Sequence, residues 1–502
     1  MDTDLPPLIR ALLQPHRYAG NVAQVQLVQT HISWVLLAGE FAYKIKKPLR
    51  LPFLDFSTLA LRKQRCEDEL RLNRRFASDL YLEVVGIFNT LQDPQWEGTG
   101  QPIEYAVKMR SFDDNQRLDR VCQRGELQAQ HLSQLADNVV AFHGTAERAR
   151  PDSPWGTAAA VIAPVRDSLR SLLQWSAPAH IQAQLLALQT WAETQCAQLA
   201  PLMEARKQAG WVRECHGDLH LANMVLLGQQ VRMFDCIEFS ENLRWIDVAS
   251  EIAFTYIDLM AHGQSGLANW FVNEVWERTG DYEAARVLPF YAVYRALVRA
   301  QVATIRAQQT QQTRATAEAD SKEACAYIAL AHQLATPLAL RLLITHGLSG
   351  CGKTVASSQL LQTDTQARTL RLRSDVERKR LFGLAATAHS TAVPDDGIYT
   401  PSATARTYTH LHTQADTLLR AGWSVIVDAT FLKRADRDTF RQLAQETGAT
   451  FGIVAPEATY EQLRQRIAAR NALGQDASDA TLEVLAQQVQ ALEPLASDEP
   501  RV

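Results

Sequence analysis

The chain has 502 residues, 46% hydrophobic and 21% charged, enough apolar material for two or three globular domains. A formal net charge of −4 excludes a surface that is basic throughout, though not a local basic patch. Seven scattered cysteines with no CxxC pair exclude a disulfide framework and read as reduced thiols, and no stretch reaches the ~18 apolar residues of a membrane helix, so a soluble, cytoplasmic protein without a membrane partner is expected.

Residues 25–51, VQLVQTHISWVLLAGEFAYKIKKPLRL, read as successive strands with turns near Thr30 and Gly39. A helix follows over about 57–77, N-capped by Ser57 or Thr58. VVGIFNT and EYAVKMRSF add two strands, which completes a small lobe over about 20–115. A larger lobe, about 116–336, is mostly helical and contains the loop CHGDLHLANM and the hairpin-like MVLLGQQVRMFD. The polar run 309–321 reads as an exposed helical turn or loop before a last helix, CAYIALAHQLA. Pro337 marks the start of a second domain, 337–502. There LALRLLITHG, TLRLRSD, WSVIVDAT and TFGIVAP alternate with helices, the pattern of a parallel α/β sheet.

In the loop 215–224, Asp218 precedes Asn223 by the D-x-x-x-x-N spacing of a kinase catalytic loop. A carboxylate is needed there to take the acceptor's proton, and an amide oxygen to hold Mg²⁺. Asp235, at a strand end in VRMFDCIEF, is the candidate second metal ligand. Upstream, strand alternation puts Ala42 and Lys44 on one face, as adenine packing beside a phosphate-binding lysine requires. On the next helix EDELRLNRR offers Glu67 and Glu69 to hold Lys44, and Glu69 is the candidate. Taken singly, Lys44 reads equally as a surface strand lysine, with Lys46 on the same face, and Asp218 as a turn residue. The order lysine, helix acid, HGD-x-x-x-x-N, aspartate is what unites them. His216 reads as an organiser of the loop, and Asp247 and Glu251 in IDVASEIAF as its anchors.

In the second domain Gly347, Leu348, Ser349, Gly350, Cys351, Gly352, Lys353 and Thr354 fit GxxxxGK[ST] at every position, between a strand and a helix. Backbone amides would cradle ATP phosphates at the helix N-terminus, with Lys353 on the β- and γ-phosphates and Thr354 on Mg²⁺. Asp375 in RSDVERKRLFG is placed to take an acceptor proton, or to cap a helix, and Arg378 to hold the acceptor or a phosphate. Asp428 ends a buried strand and suits the Mg²⁺ shell, or a plain turn. Arg466 and Arg470, four apart, share a helical face that can serve as a cationic lid or simply meet solvent.

HGDLHLAN with FDCIEF resembles the aminoglycoside phosphotransferase family, a branch of the protein-kinase-like fold, over roughly 22–335. The chain departs from protein kinases in lacking GxGxxG and in following Asp235 with Cys-Ile-Glu. GLSGCGKT, RSDVERKRLFG and VDATFLKRADR resemble the small P-loop kinases of the polynucleotide kinase, gluconate kinase and zeta-toxin group, over about 340–496. By that likeness Asp375 is the base. The whole is similar to bacterial fusions of the two. It implies an α+β two-lobed kinase-like domain (1–336) followed by a three-layer P-loop α/β domain (337–502). The expected function is ATP- and Mg²⁺-dependent phosphoryl transfer at two nucleotide sites to hydroxyls of a small molecule or nucleic acid, without an obligate protein partner. Two alternatives stay open: a P-loop kinase regulated by a ligand- or nucleotide-binding N-terminal domain, and an ATP-hydrolysing switch.

Overall fold

The structure is a computed structural model that describes residues 5–51, 54–308, 314–386, 388, 398–473 and 477–502. The chain forms two compact units. The first comprises Met1–Leu127, Ala141–Pro164 and Gln198–Thr255, and the second Gln128–Val140, Val165–Ala197 and Tyr256–Val502.

The first unit opens with a sheet of β1 (Val25–Gln29), β2 (Ser33–Ala38), β3 (Phe41–Lys46), β4 (Tyr81–Asn89), β5 (Pro94–Gln95) and β6 (Glu104–Arg110), in the order β1-β2-β3-β6-β4-β5. Alternation along β3 sends Tyr43 and Ile45 into an apolar cluster with Trp34 and Leu36, leaving Lys44 and Lys46 on the other face. Helix α1 (Leu59–Asn73) starts at Thr58, whose hydroxyl accepts from the Leu61 amide at 3.2 Å. Its buried residues Arg62, Cys66, Glu69 and Asn73 recur at helical spacing, so α1 buries a stripe rich in polar groups. That stripe is satisfied within the unit: Arg62 pairs with Glu104 at 2.8 Å. Downstream, β7 (Val212–Glu214) leads into the loop 215–223. The hairpin of β8 (Met224–Leu227) and β9 (Gln230–Met233) follows, and β10 (Trp245–Asp247) returns to pair with β7.

The second unit contains a parallel sheet of β11 (Arg341–Thr345), β12 (Thr369–Arg373), β13 (Ser424–Asp428) and β14 (Thr450–Val454), ordered β12-β13-β11-β14. The expected parallel α/β architecture is therefore present. Both sheet edges are covered. Beside β14, the Ile453 amide donates to Pro500 O and the Val502 amide to Ile453 O. Beside β12 lies a helix, α2 (Ser265–Thr279), whose asparagines stand in for a neighbouring strand. Asn269 accepts from the Thr369 amide at 3.1 Å and donates to Leu361 O at 3.1 Å. Asn273 donates to Thr369 O at 2.8 Å and accepts from the Arg371 amide at 2.8 Å. An edge strand left open would pair with another chain. Gly266, one turn earlier, allows the close approach: a Cβ there would lie 1.7 Å from Gln362 O.

The unit also holds α3 (Leu288–Ala307) and α4 (Arg314–Ala335). Of the run 309–321, read from sequence as an exposed helical turn or loop, residues 314–321 are the first turns of α4, with no glycine or proline to interrupt them; 309–313 lie outside the described residues. Among the described residues, no helix is long and apolar enough to cross a membrane.

Candidate active sites

In the first unit Lys44 joins two carboxylates from different elements. Its ammonium lies 2.8 Å from Glu69 Oε1 on α1 and 2.5 Å from Asp235 Oδ1, just after β9. Burial alone would lower the Lys44 pKa, but Asp235 and Glu69 more than offset it and hold the group protonated. Burial likewise pushes the Asp235 carboxyl up, and Lys44 more than reverses this, so it lies below its ordinary range. Asp235 sits at φ 64°, an uncommon conformation for a residue with a side chain. Two groups fix it there: its amide donates to Tyr81 Oη at 3.0 Å, and the next amide, Cys236, to Asn73 Oδ1 at 3.0 Å.

The loop 215–223 is organised from behind. Glu251, on the helix after β10, accepts from the His216 and Gly217 amides at 2.5 and 2.9 Å, and its other oxygen meets His143 Nε2 at 2.6 Å. His216 Nε2 donates to Phe234 O at 2.8 Å, tying the loop to the segment that carries Asp235. Burial lowers the His216 pKa and keeps the ring neutral. Asn223 Nδ2 donates to Asp218 O at 2.9 Å and Asp218 Oδ2 at 3.1 Å, which fixes the two loop side chains against each other. Asp247, read with Glu251 as a loop anchor, instead pairs with Arg206 at 2.7 Å and accepts from the Ala249 amide.

Sequence reasoning passed over a second buried pair. Lys46 bonds both Glu69 and Glu238, and all three are buried. The cluster thus holds two lysines against the carboxylates of Glu69, Asp235 and Glu238. Burial pushes the Glu238 carboxyl up, with Lys46 opposing. The available signal was Lys46 two residues after Lys44, and Glu238 three after Asp235.

In the second unit the phosphate-binding loop joins β11 to α5 (Lys353–Gln362). Gly347, Gly350 and Gly352 have φ of 131°, 85° and 102°, in the left-handed region that glycine adopts without strain. Lys353 Nζ donates to Gly347 O at 2.9 Å and Leu348 O at 2.8 Å. Cys351 packs with Leu463, Ile467 and Leu485 in an apolar cluster. Arg466, on α9 (Tyr460–Leu473) once α6 (Ser374–Leu381), α7 (Pro401–Arg420) and α8 (Arg434–Thr447) are counted, donates to Gly350 O at 3.2 Å. Arg470 turns instead to Ala480 O at 3.4 Å. Of the cationic segment 463–480, residues 474–476 lie outside the described ones. Gln488, on α10 (Leu482–Ala491), accepts from the Ser349 amide at 2.8 Å and was not foreseen.

Strand order brings the candidate carboxylates to the same sheet end. Arg373 and Asp428 are register partners on β12 and β13, and β13 borders the strand that feeds the phosphate loop. Asp428 accepts from Ser357 Oγ at 3.1 Å and from Thr345 Oγ1 at 3.4 Å. Asp375 stands in the first turn of α6, which has no side-chain cap hydrogen bond. Burial raises its pKa, and Arg373, a hydrogen bond from Ser478 and Arg378 only partly oppose that. Arg378 is buried, donating to Ile398 O at 2.8 Å and Thr404 Oγ1 at 3.2 Å. Asn223 with Asp235, and Thr354 with Asp428, are oxygen donor sets of the kind that suits Mg²⁺.

The first constellation has the residue order of the kinase-like resemblance, and the second sets a glycine-rich phosphate loop on a parallel α/β sheet. Residues 342–495 match the family model AAA_33, described as an AAA domain. The chain is 29% identical over 470 residues to the uncharacterized protein Rv2004c of Mycobacterium tuberculosis and, equally, to the uncharacterized protein Mb2027c of Mycobacterium bovis, covering 92% of this chain and 89% of each relative. Among solved structures, it is similar to choline kinase from Cryptosporidium parvum (10% identity, 65% of this chain and 94% of that one, TM-score 0.42). It is also similar to a putative kinase from Chloroflexus aurantiacus (25% identity, 33% of this chain and 87% of that one, TM-score 0.26).

Proposed function

We propose that the protein is an ATP-dependent phosphotransferase with two nucleotide sites, each passing a γ-phosphoryl group to an acceptor hydroxyl. The observation that carries this reading is the pairing, in one chain, of a Lys44–Glu69–Asp235 bridge beside Asp218 and Asn223 with a complete glycine-rich phosphate loop. In the first unit Lys44, aligned by Glu69, orients the α- and β-phosphates, and Asp218 takes the acceptor proton. Asn223 and Asp235 would hold Mg²⁺ there, and Thr354 and Asp428 in the second unit. Bound Mg²⁺ neutralises charge on the triphosphate. In the second unit loop amides and Lys353 hold the phosphates, while Asp375, its carboxyl raised by burial, accepts the proton. Arg466, already on the loop at Gly350, is placed to offset charge in the transition state, while Arg378 borders Asp375 on the acceptor side.

The test is γ-labelled ATP with a metabolite and RNA extract, comparing wild type with Lys353→Ala and Asp218→Asn. Two labelled products are expected, one lost in each variant. If Asp218→Asn keeps every product, the first unit is a regulator. ATP consumption with no labelled product would overturn transfer in favour of a hydrolytic switch.

A further inference from the structure

We infer that Glu277, on helix α2 before the P-loop domain, is a positioning residue for the phosphate-loop site, reaching both of its candidate functional aspartates through two arginines. The inference rests on reading that site as catalytic. Glu277 Oε2 lies 3.2 Å from Arg371 Nη2, and Oε1 lies 3.0 Å from Arg373 Nη1. From Arg371 the path runs through Nη1 to Ser357 Oγ at 3.2 Å, and from Ser357 Oγ to Asp428 Oδ2 at 3.1 Å. Arg371 also donates to Ser358 Oγ at 2.8 Å. From Arg373 the link is electrostatic: it precedes Asp375 by two residues, and its charge counts among the groups that oppose the rise of that carboxyl.

Glu277 is itself held in place. It follows Asn269 and Asn273 at spacings of four on one face of α2, and those asparagines bond the backbone of β12, the strand that bears both arginines. Arg380, from α6, donates to Glu277 O. One carboxylate therefore sets the side chains that flank both aspartates, and it comes from a helix outside the residues that match the AAA-domain family. A half-buried carboxylate holding two guanidinium groups fixes their direction more tightly than solvent would.

The experiment measures basal ATP turnover, with water in place of the acceptor, in an Asp218→Asn background that silences the first site. Rates are normalised to the fraction of protein that binds a fluorescent ATP analogue. Glu277→Gln is expected to lower kcat ~10- to 100-fold while KM for ATP changes less than ~3-fold, because positioning is lost and phosphate binding is not. Glu277→Asp should recover most of the rate, since the charge remains. Arg373→Gln should show the same kcat-selective loss, and decides the matter alone if Glu277→Gln does not fold. Turnover within twofold of background in the folded variants overturns the inference, as does a loss fully explained by the non-binding fraction. Lys353→Ala in the same background separates the two failures. If it leaves turnover intact, the catalytic reading of the phosphate loop fails and takes the inference with it.

Discussion

Lys46 shows how a residue's chemistry depends on which side of a strand is covered. A lysine two positions beyond Lys44 reads in sequence as one more surface cation. Here its side chain is 0% exposed between Glu69 and Glu238. Lys46→Met would leave two carboxylates in the core with one cation fewer, and a broken buried pair costs about 3–5 kcal/mol. Urea unfolding should show that loss. Glu238→Gln should cost about 1 kcal/mol, because it removes the excess carboxylate of the cluster and keeps an acceptor for Lys46. His216 gives a pH dependence. Its folded pKa lies below its ordinary value, because burial disfavours the charged ring. As pH falls through the ordinary histidine value of about 6.5, the unfolded chain takes up a proton that the folded chain does not, so stability falls. Melting temperature should drop between pH 7.5 and 5.5, and His216→Asn should flatten that slope. Lys44, Glu69, Asp218, Asn223 and Asp235 could be picked out together because the order of the kinase-like motifs links them. Tyr81 could not, since a single tyrosine there has no spacing rule to mark it, and Glu238 had only its place three residues after Asp235 as a signal.

At the scale of elements, period-two and period-3.6 patterns located the strands β1 to β3 and the β11–loop–α5 junction, because apolar burial writes itself into alternation. Helix α2 was legible as a helix and illegible as a partner of β12. Asn269, Asn273 and Glu277 form a polar stripe, which in sequence is the mark of a solvated face. Only the unpaired amides and carbonyls of an edge strand give that stripe something to bond. The consequence is testable. In the double variant Asn269→Ala/Asn273→Ala, the Thr369 and Arg371 amides lose their acceptors. A buried group left unsatisfied costs about 1–3 kcal/mol, so the variant should unfold at markedly lower urea. It should also self-associate as concentration rises, seen by light scattering, because the open edge of β12 is free to pair. A variant that stays monomeric with wild-type stability would show that the asparagines are dispensable covers.

At the scale of the molecule, two unrelated motifs were legible in the sequence, since each sets a spacing on a short stretch. They carried no information about which helices accompany which sheet. Pro337 reads as a boundary because strand–helix alternation begins there, yet Tyr256–Ala335 falls in the same compact unit as the P-loop sheet. Trp423 makes the point measurable. It is the sole tryptophan after residue 337, and it is fully buried. Its indole Nε1 donates to Ala285 O at 2.9 Å, and its ring meets Trp276 edge-on at 5.5 Å. A fragment of residues 337–502 loses both contacts, along with the asparagine cover of β12. Its tryptophan emission should therefore shift to the red of a buried indole, and it should bind a hydrophobic dye and aggregate on concentration. Lys353→Ala in the same fragment should change none of this, because that residue lies at the phosphate loop rather than against the helices. A monomeric fragment with blue-shifted emission would mean that the P-loop domain buries Trp423 by itself, and that the helices before Pro337 are not part of its core.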